Sequence, residues 1–132
     1  MYTMKQVCKK LGMTYETLRF YCDEGLVPNV KRDKNNYRSF DERNLSWLES
    51  LQCLKRCGMS IKDMKKYMQL CLQGVSSIDE RKAILSAQKE ILIGQINEIR
   101  ESIAYIHEKQ EYFDGVLSGK IQYMSNLIDV ES

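Results

Sequence analysis

In the second half of the chain, apolar residues recur with a period of seven. We expect these residues to form the contact between two copies of the chain. They are Leu85, Leu92, Ile96, Ile99, Ile103 and Ile106. Alternating steps of four and three are typical of a coiled-coil seam. The stretch 77–112 contains one glycine and no proline, so it predicts a single helix of about 54 Å at 1.5 Å per residue. A small domain cannot cover so long a seam, and the expected partner is the same helix of a second chain in a two-fold dimer.

The beginning of the chain reads as two short helices joined by a tight turn. Apolar residues at the spacing of one helical face predict a helix over 4–11. Gly12 suits a left-handed helix end, and Thr14 is a good N-cap for a second helix that stops before Gly25. This spacing is that of a helix-turn-helix, although an ordinary αα-hairpin shares it.

A polar, basic stretch at 31–36 precedes a short run at 37–40 that reads as a strand. Together they predict a small hairpin with Lys31, Arg32 and Lys34 at its tip and Arg38 at its base. Such a wing would lie along a phosphate backbone. The alternative is a solvated loop, which is what a charge run usually indicates.

Two further helices follow the predicted wing. Asp41 caps one over 42–57 and Ser60 caps another over 61–72. The second of these is expected to bury an apolar row that ends at Leu72.

Charge is distributed unevenly along the chain. Residues 1–67 hold 14 basic and 8 acidic side chains, whereas 68–132 hold 6 basic and 10 acidic ones. A basic first half favours a polyanion-binding module. The five cysteines lack the spacing of a disulfide framework, which predicts reduced thiols and a cytoplasmic protein. No apolar run reaches the ~18–20 residues of a membrane span, so no membrane partner is expected.

Catalysis has no candidate residues in this sequence, and metal binding has only an incomplete set. Paired carboxylates, a nucleophile with a base and a phosphate-binding glycine loop are all missing, so no enzyme and no cofactor are expected. Cys53 and Cys57 share a helix face and would make two ligands of a metal site. The only histidine is His107 and no cysteine follows Cys71, so no metal is expected.

The N-terminal motifs together resemble the MerR family of bacterial transcription regulators. The residues that carry the resemblance are TLRFY at 17–21, GL at 25–26, YR at 37–38 and GMS at 58–60. The resemblance implies a mainly α fold, with a winged helix-turn-helix DNA-binding domain followed by a long antiparallel coiled-coil dimerisation helix. We place the domain limits at 1–74, 75–113 and 114–132, the last being a tail that packs on the coil. The implied partner is a palindromic operator in double-stranded DNA, whose spacer the dimer distorts so that RNA polymerase can use the promoter.

The resemblance also assigns positions to DNA. The implied DNA-binding residues are Thr14, Tyr15, Thr17, Arg19, Phe20, Tyr37, Arg38 and Lys62. On this basis Arg19 faces the major groove, Arg38 holds the backbone, and Lys62 meets phosphate near a helix N-terminus. Phe20 stands where the family often has tyrosine. For Tyr37 the alternative is an aromatic residue in the core of the wing.

The third helix is similar to that of the thiol-based, aldehyde- and electrophile-responsive branch of the family, in which a lone cysteine senses the signal. Cys53 occupies that position. A sensing thiol must ionise, and Lys55 and Arg56 favour this, but Cys53 also continues an apolar row approximately and would then be a buried, inert thiol. Two other functions stay open: sensing of a small ligand in a pocket beside the coil, and a coiled-coil adaptor that binds no DNA.

Overall fold

The computed structural model describes residues 1–130, which form two compact units, one covering 1–89 and the other beginning at Glu90. The helices are α1 (Met4–Leu11), α2 (Tyr15–Asp23), α3 (Glu42–Arg56), α4 (Ile61–Leu72) and α5 (Ile78–Leu117), with a 3₁₀ turn at Gly74–Ser77. Strands β1 (Lys31–Arg32) and β2 (Arg38–Ser39) pair antiparallel. The predicted mainly α, winged helix-turn-helix fold with a long C-terminal helix is confirmed.

Local capping sets the ends of the first two helices. Thr3 and Gln6 form a reciprocal capping box at the start of α1. Gly12 ends α1 with a left-handed φ of 64°, a conformation that costs glycine little. The Thr14 side chain then accepts a hydrogen bond from the amide of Thr17 and starts α2. The helix-turn-helix geometry therefore follows from residues within one short segment.

The wing is a two-residue ladder closed by a side-chain-stabilised turn. The Asp33 carboxylate accepts hydrogen bonds from the amides of Asn35 and Tyr37 at 2.8 and 3.0 Å. Asn36 takes a positive φ of 65°, which asparagine tolerates. The amide of Tyr2 donates to the carbonyl of Phe40 at 2.7 Å, so the N-terminus extends the hairpin by one bridge.

The core of the first unit lies between α1, α2, α3 and α4. Its largest fully buried side chains are Val7, Leu18, Tyr21, Leu26, Phe40, Leu48, Leu51 and Met64. The expectation that α4 buries Leu72 is wrong, because Leu72 is exposed and Leu70 is buried instead. The chain turns directly after α4 into the 3₁₀ segment, where the Ser77 hydroxyl donates to the carbonyl of Leu70.

The first turns of α5 belong to the N-terminal unit. Ile84 packs against the hydrophobic core. The side-chain amide of Gln88 donates to the carbonyl of Cys57 at 2.7 Å, and this bond satisfies a backbone acceptor at the end of α3. The beginning of the long helix is therefore fixed by tertiary contacts as well as by its own hydrogen bonds.

The far end of α5 departs from the prediction that the helix ends near Tyr112. The helix runs through Gly115 to Leu117, and the left-handed residue is Gly119, with φ 81°. A Cβ at position 115 would collide with the side chain of Ile121. Gly115 therefore permits a close approach of the following segment and does not interrupt the helix.

The segment 118–130 contains no helix and folds back on the end of α5. The amide of Met124 donates to the Tyr112 hydroxyl at 2.8 Å. The two final residues of the predicted tail, 131–132, lie outside the described residues. Within residues 1–130 no helix is both long and apolar enough to cross a membrane.

Candidate nucleic-acid interface

The recognition helix α2 presents a polar and aromatic surface to solvent. Tyr15, Arg19 and Phe20 are exposed, Thr17 is half-buried, and Thr14 caps the helix. Leu18 and Tyr21 of the same helix are buried, as expected for core residues. The amphipathic helix thus turns its predicted DNA-binding side chains away from the core.

The wing presents an aromatic side chain and a cation beside the helix. Tyr37 is 71% exposed, so the alternative that it forms the core of the wing is wrong. The Arg38 guanidinium donates to the Asp23 carboxylate at 2.7 Å. Arg19 Nε lies 3.6 Å from the other oxygen of the same carboxylate. Asp23 therefore ties an arginine of the helix to an arginine of the wing.

A cleft of about 320 Å³ separates the start of α2 from the wing. Tyr15, Tyr37 and Arg38 line it together, and so do Lys5 of α1 and Arg32 of β1. Cations and phenol hydroxyls suit the phosphodiester backbone of DNA, and the one carboxylate among the described residues of the lining, Asp33, accepts two amide hydrogen bonds of the turn. The structure therefore brings three of the predicted DNA-binding residues to one place.

Lys5 was not predicted to belong to the site, and Arg32, which was expected at the tip of the hairpin, lies in strand β1. Arg32 Nη1 donates to the carbonyl of Asn36 at 2.8 Å, which holds its head group against the turn. Lys5 is exposed on α1. The exposed side of this helix also bears Lys9 and Lys10. This basic face is the sequence feature from which a role for Lys5 could have been predicted.

Five of the eight predicted DNA-binding residues do not line this cleft: Thr14, Thr17, Arg19, Phe20 and Lys62. Lys62 is exposed in the first turn of α4, whose N-cap Ser60 accepts from the amide of Asp63. Phe20 is 44% exposed on α2 but does not line the cleft. These two positions belong to other parts of the surface of the first unit.

Cys53 is exposed on α3, so the alternative that it is a buried thiol is wrong. It lines a separate cleft with Trp47 and Tyr67, whose rings stack with centroids 6.5 Å apart. The Trp47 indole N–H donates to the carbonyl of Leu26 at 2.7 Å. A group attached to the Cys53 sulfur would therefore meet an aromatic pair that supports the segment after α2.

The other cysteines are more enclosed than Cys53. Burial raises the pKa of the Cys8 and Cys22 thiols, which leaves less of each as the reactive thiolate. Cys57 and Cys71 are half-buried. Among residues 1–130 no three histidine, cysteine or carboxylate side chains gather as a metal site would require.

The apolar repeat of α5 is uncovered in the single chain. Five of the six predicted contact residues, Leu85, Ile96, Ile99, Ile103 and Ile106, are exposed and Leu92 is half-buried. An exposed row of large aliphatic side chains is typical of interaction surfaces.

Comparison with known proteins establishes the class of this chain. Residues 2–71 match the family described as MerR HTH family regulatory protein, and the chain belongs to this family of DNA-binding transcriptional regulators. An uncharacterised HTH-type transcriptional regulator of Haemophilus influenzae is 38% identical over 112 residues, covering 85% of this chain and 83% of that protein. The HTH-type transcriptional regulator AdhR of Bacillus subtilis is 38% identical over 88 residues, covering 67% of this chain and 63% of AdhR. These relatives are regulators and not enzymes.

Solved structures agree with this assignment. HiNmlR, a MerR family regulator lacking the sensor domain and bound to promoter DNA, aligns with a TM-score of 0.71 and 36% identity over 89% of each chain. A MerR family transcriptional regulator of Bacillus thuringiensis aligns with a TM-score of 0.69 and 30% identity, covering 83% of this chain and 96% of that one.

Proposed function

We propose that the chain acts as a homodimer on a palindromic promoter operator and changes transcription by distorting the spacer of that promoter for RNA polymerase. The observation that supports this most is the cleft shared by Tyr15, Tyr37 and Arg38, because it joins the start of the recognition helix to the wing. The likeness to HiNmlR, which was solved on promoter DNA, points the same way. Membership of the MerR family argues against the alternative of an adaptor that binds no DNA.

Dimerisation in this proposal occurs through the exposed apolar row of α5. A dimer offers two recognition helices to two half-sites, and a palindromic operator requires this. The row from Leu85 to Ile106 leaves several large aliphatic side chains in water in one chain. Pairing two copies would remove this surface from solvent on both chains at once.

The test of DNA binding is a titration of the promoter fragment next to the protein's own gene. We expect saturable binding of one dimer per palindrome, much tighter than binding to a scrambled fragment of equal length. Equal affinity for the two fragments would contradict the proposal, and an elongated monomer in sedimentation would contradict the dimer.

For the signal, we propose that Cys53 senses an aldehyde or another electrophile. Its thiol is accessible, Lys55 and Arg56 follow it in sequence, and its cleft has room for a small carbonyl compound. In the addition to an aldehyde, the sulfur forms a bond to the carbonyl carbon and the thiol proton passes to the carbonyl oxygen, so no further reactant is needed. The added group would displace Trp47, whose indole N–H is hydrogen-bonded to the carbonyl of Leu26. The displacement would therefore be passed on to the segment between α2 and the wing.

Promoter output with and without formaldehyde or methylglyoxal tests this second proposal. Cys53→Ala should keep operator affinity and lose the response, whereas the matched variants Cys8→Ala, Cys22→Ala and Cys71→Ala should keep both. A full response from Cys53→Ala would refute thiol sensing at this position. It would favour the alternative in which a small ligand binds beside the coil.

A further inference from the structure

Tyr21 has a buried hydroxyl that no group of the described residues satisfies. The side chain is 1% exposed, and its hydroxyl has no hydrogen-bond partner among residues 1–130. Buried polar groups in proteins nearly always have a partner. Burial also raises the pKa of Tyr21, so the hydroxyl keeps its proton and is available as a donor.

Tyr21 lines a cleft of about 450 Å³ between the α1–α2 turn and the last turns of α3. Other polar residues that line this cleft are Thr14, Thr17, Gln52, Lys55 and Arg56. It is a different cleft from the one beside the wing, with which it shares no residue.

The polar groups of this cleft are mostly donors. The Thr14 hydroxyl donates to the Thr17 oxygen at 2.8 Å, which leaves the Thr17 O–H free to donate elsewhere. The Gln52 amide nitrogen donates to the carbonyl of Leu11 at 3.0 Å. Within residues 1–130, neither Lys55 nor Arg56 takes part in an ion pair. Two uncommitted cations and two hydroxyl donors thus border one space.

One of the two neighbouring helix ends favours an anion there, and most of the carbonyls at the other already accept hydrogen bonds. The N-terminus of α2 carries positive partial charge toward its cap Thr14. The carbonyls at the C-terminal end of α3, which would repel an anion, are in use: those of Cys53, Leu54 and Lys55 accept backbone N–H groups. The carbonyl of Cys57 accepts from a side-chain amide.

We propose that this cleft binds one phosphate of the operator backbone, held by Lys55, Arg56 and Thr17, with the Tyr21 hydroxyl donating from its base. The proposal rests on the proposed operator binding. A backbone phosphate fits better than a free one because Thr14 and Thr17 belong to the recognition helix. A phosphate at the edge of the major groove would therefore reach the cleft when that helix docks. The contact fixes the depth and tilt of α2 and reads no base.

The first experiment compares the salt dependence of operator binding in three proteins. They are the wild type, the double variant Lys55→Gln/Arg56→Gln, and the matched control Lys82→Gln/Arg100→Gln, which removes the same charge from exposed positions of α5. Loss of one phosphate contact per protomer should lower the slope of log K against log salt by about 1.8 per dimer. The same loss corresponds to about 30-fold weaker binding at 0.15 M salt, and the control should show neither effect. A wild-type slope in the double variant would overturn the proposal.

A second variant, Tyr21→Phe, tests whether the hydroxyl contributes to DNA binding or only to the stability of the fold. It removes the unsatisfied hydroxyl and keeps the ring in the core, so the melting temperature should stay equal or rise while operator affinity falls several-fold. Unchanged affinity, or a lower melting temperature with a proportional loss of affinity, would overturn the role assigned to this hydroxyl.

A third measurement distinguishes the source of the phosphate. The melting temperature of the DNA-free wild type is followed with inorganic phosphate against chloride at equal ionic strength. Stabilisation that the double variant lacks, together with an unchanged salt slope, would place a free phosphate in the cleft and overturn the DNA assignment. Failure of the wild type to bind any promoter fragment would instead overturn the proposed function itself.

Discussion

Substitution of Arg38 by glutamine should weaken binding to every DNA sequence and leave the protein folded. The guanidinium forms one partly exposed ion pair, with side-chain exposures of 22% for Arg38 and 53% for Asp23. Such pairs stabilise a fold by about 1 kcal/mol or less. Because a guanidinium has five N–H donors, Arg38 can hold Asp23 and a phosphate together, and its removal costs the phosphate contact.

The size of the effect follows from counting phosphates. One contact per protomer is two per dimer, and the slope of log K against log salt should fall by about 1.8. Over a fourfold change in salt, from about 50 to 200 mM, the ratio of variant to wild-type dissociation constants should shrink about 12-fold. The loss should be equal for operator and scrambled DNA, since a phosphate contact reads no base.

Fluorescence anisotropy with labelled operator and scrambled duplexes at four salt concentrations measures both quantities. Arg100→Gln, on an exposed turn of α5, is the matched control and should behave as the wild type. An unchanged slope in Arg38→Gln would refute the phosphate contact of this residue. An effect confined to the operator would also refute it, because it would mean that Arg38 reads a base.

Three further outcomes are expected. Leu18→Ala, at a fully buried position, should lower the free energy of unfolding by about 2–5 kcal/mol in a denaturant titration; a change below 1 kcal/mol would contradict the packing. Ile103→Glu should yield monomers in sedimentation while Asn97→Glu leaves dimers, since Ile103 is 60% exposed in the single chain and lies in the apolar row. With a maleimide at neutral pH, Cys53 should react faster than Cys22, because burial raises the pKa of Cys22; mass spectrometry shows the order.

Local signals sufficed to predict the helix starts. Thr14, Asp41 and Ser60 each accept the expected amide hydrogen bond three residues along. A cap depends only on residues within one turn, so it is readable from the sequence alone. The exact match of α1 and α4 to their predicted ranges has the same origin.

Predictions that depend on what packs against a helix were less reliable. Cys53 was placed near the apolar row of α3, yet at 100° per residue it lies about 140° from Leu48 around the helix, and it is exposed. The ion pair of Asp23 with Arg38 joins α2 to the wing, and the cleft lined by Lys5 and Arg32 joins α1 to the wing. No periodicity or spacing encodes such contacts. The residues proposed to face DNA were therefore predicted mainly from the family resemblance, and only the structure shows how they are arranged.

The tertiary anchoring of the start of α5 has a consequence for protein engineering. A fragment cut at residue 77 would lose Ile84 from its core and the Gln88 cap from α3, and we expect it to be poorly soluble. A fragment that ends at Lys89 keeps both. Chimaeras that exchange dimerisation helices between relatives should therefore be joined within the helix after Lys89, in unbroken heptad register, and not at the 3₁₀ turn that precedes α5.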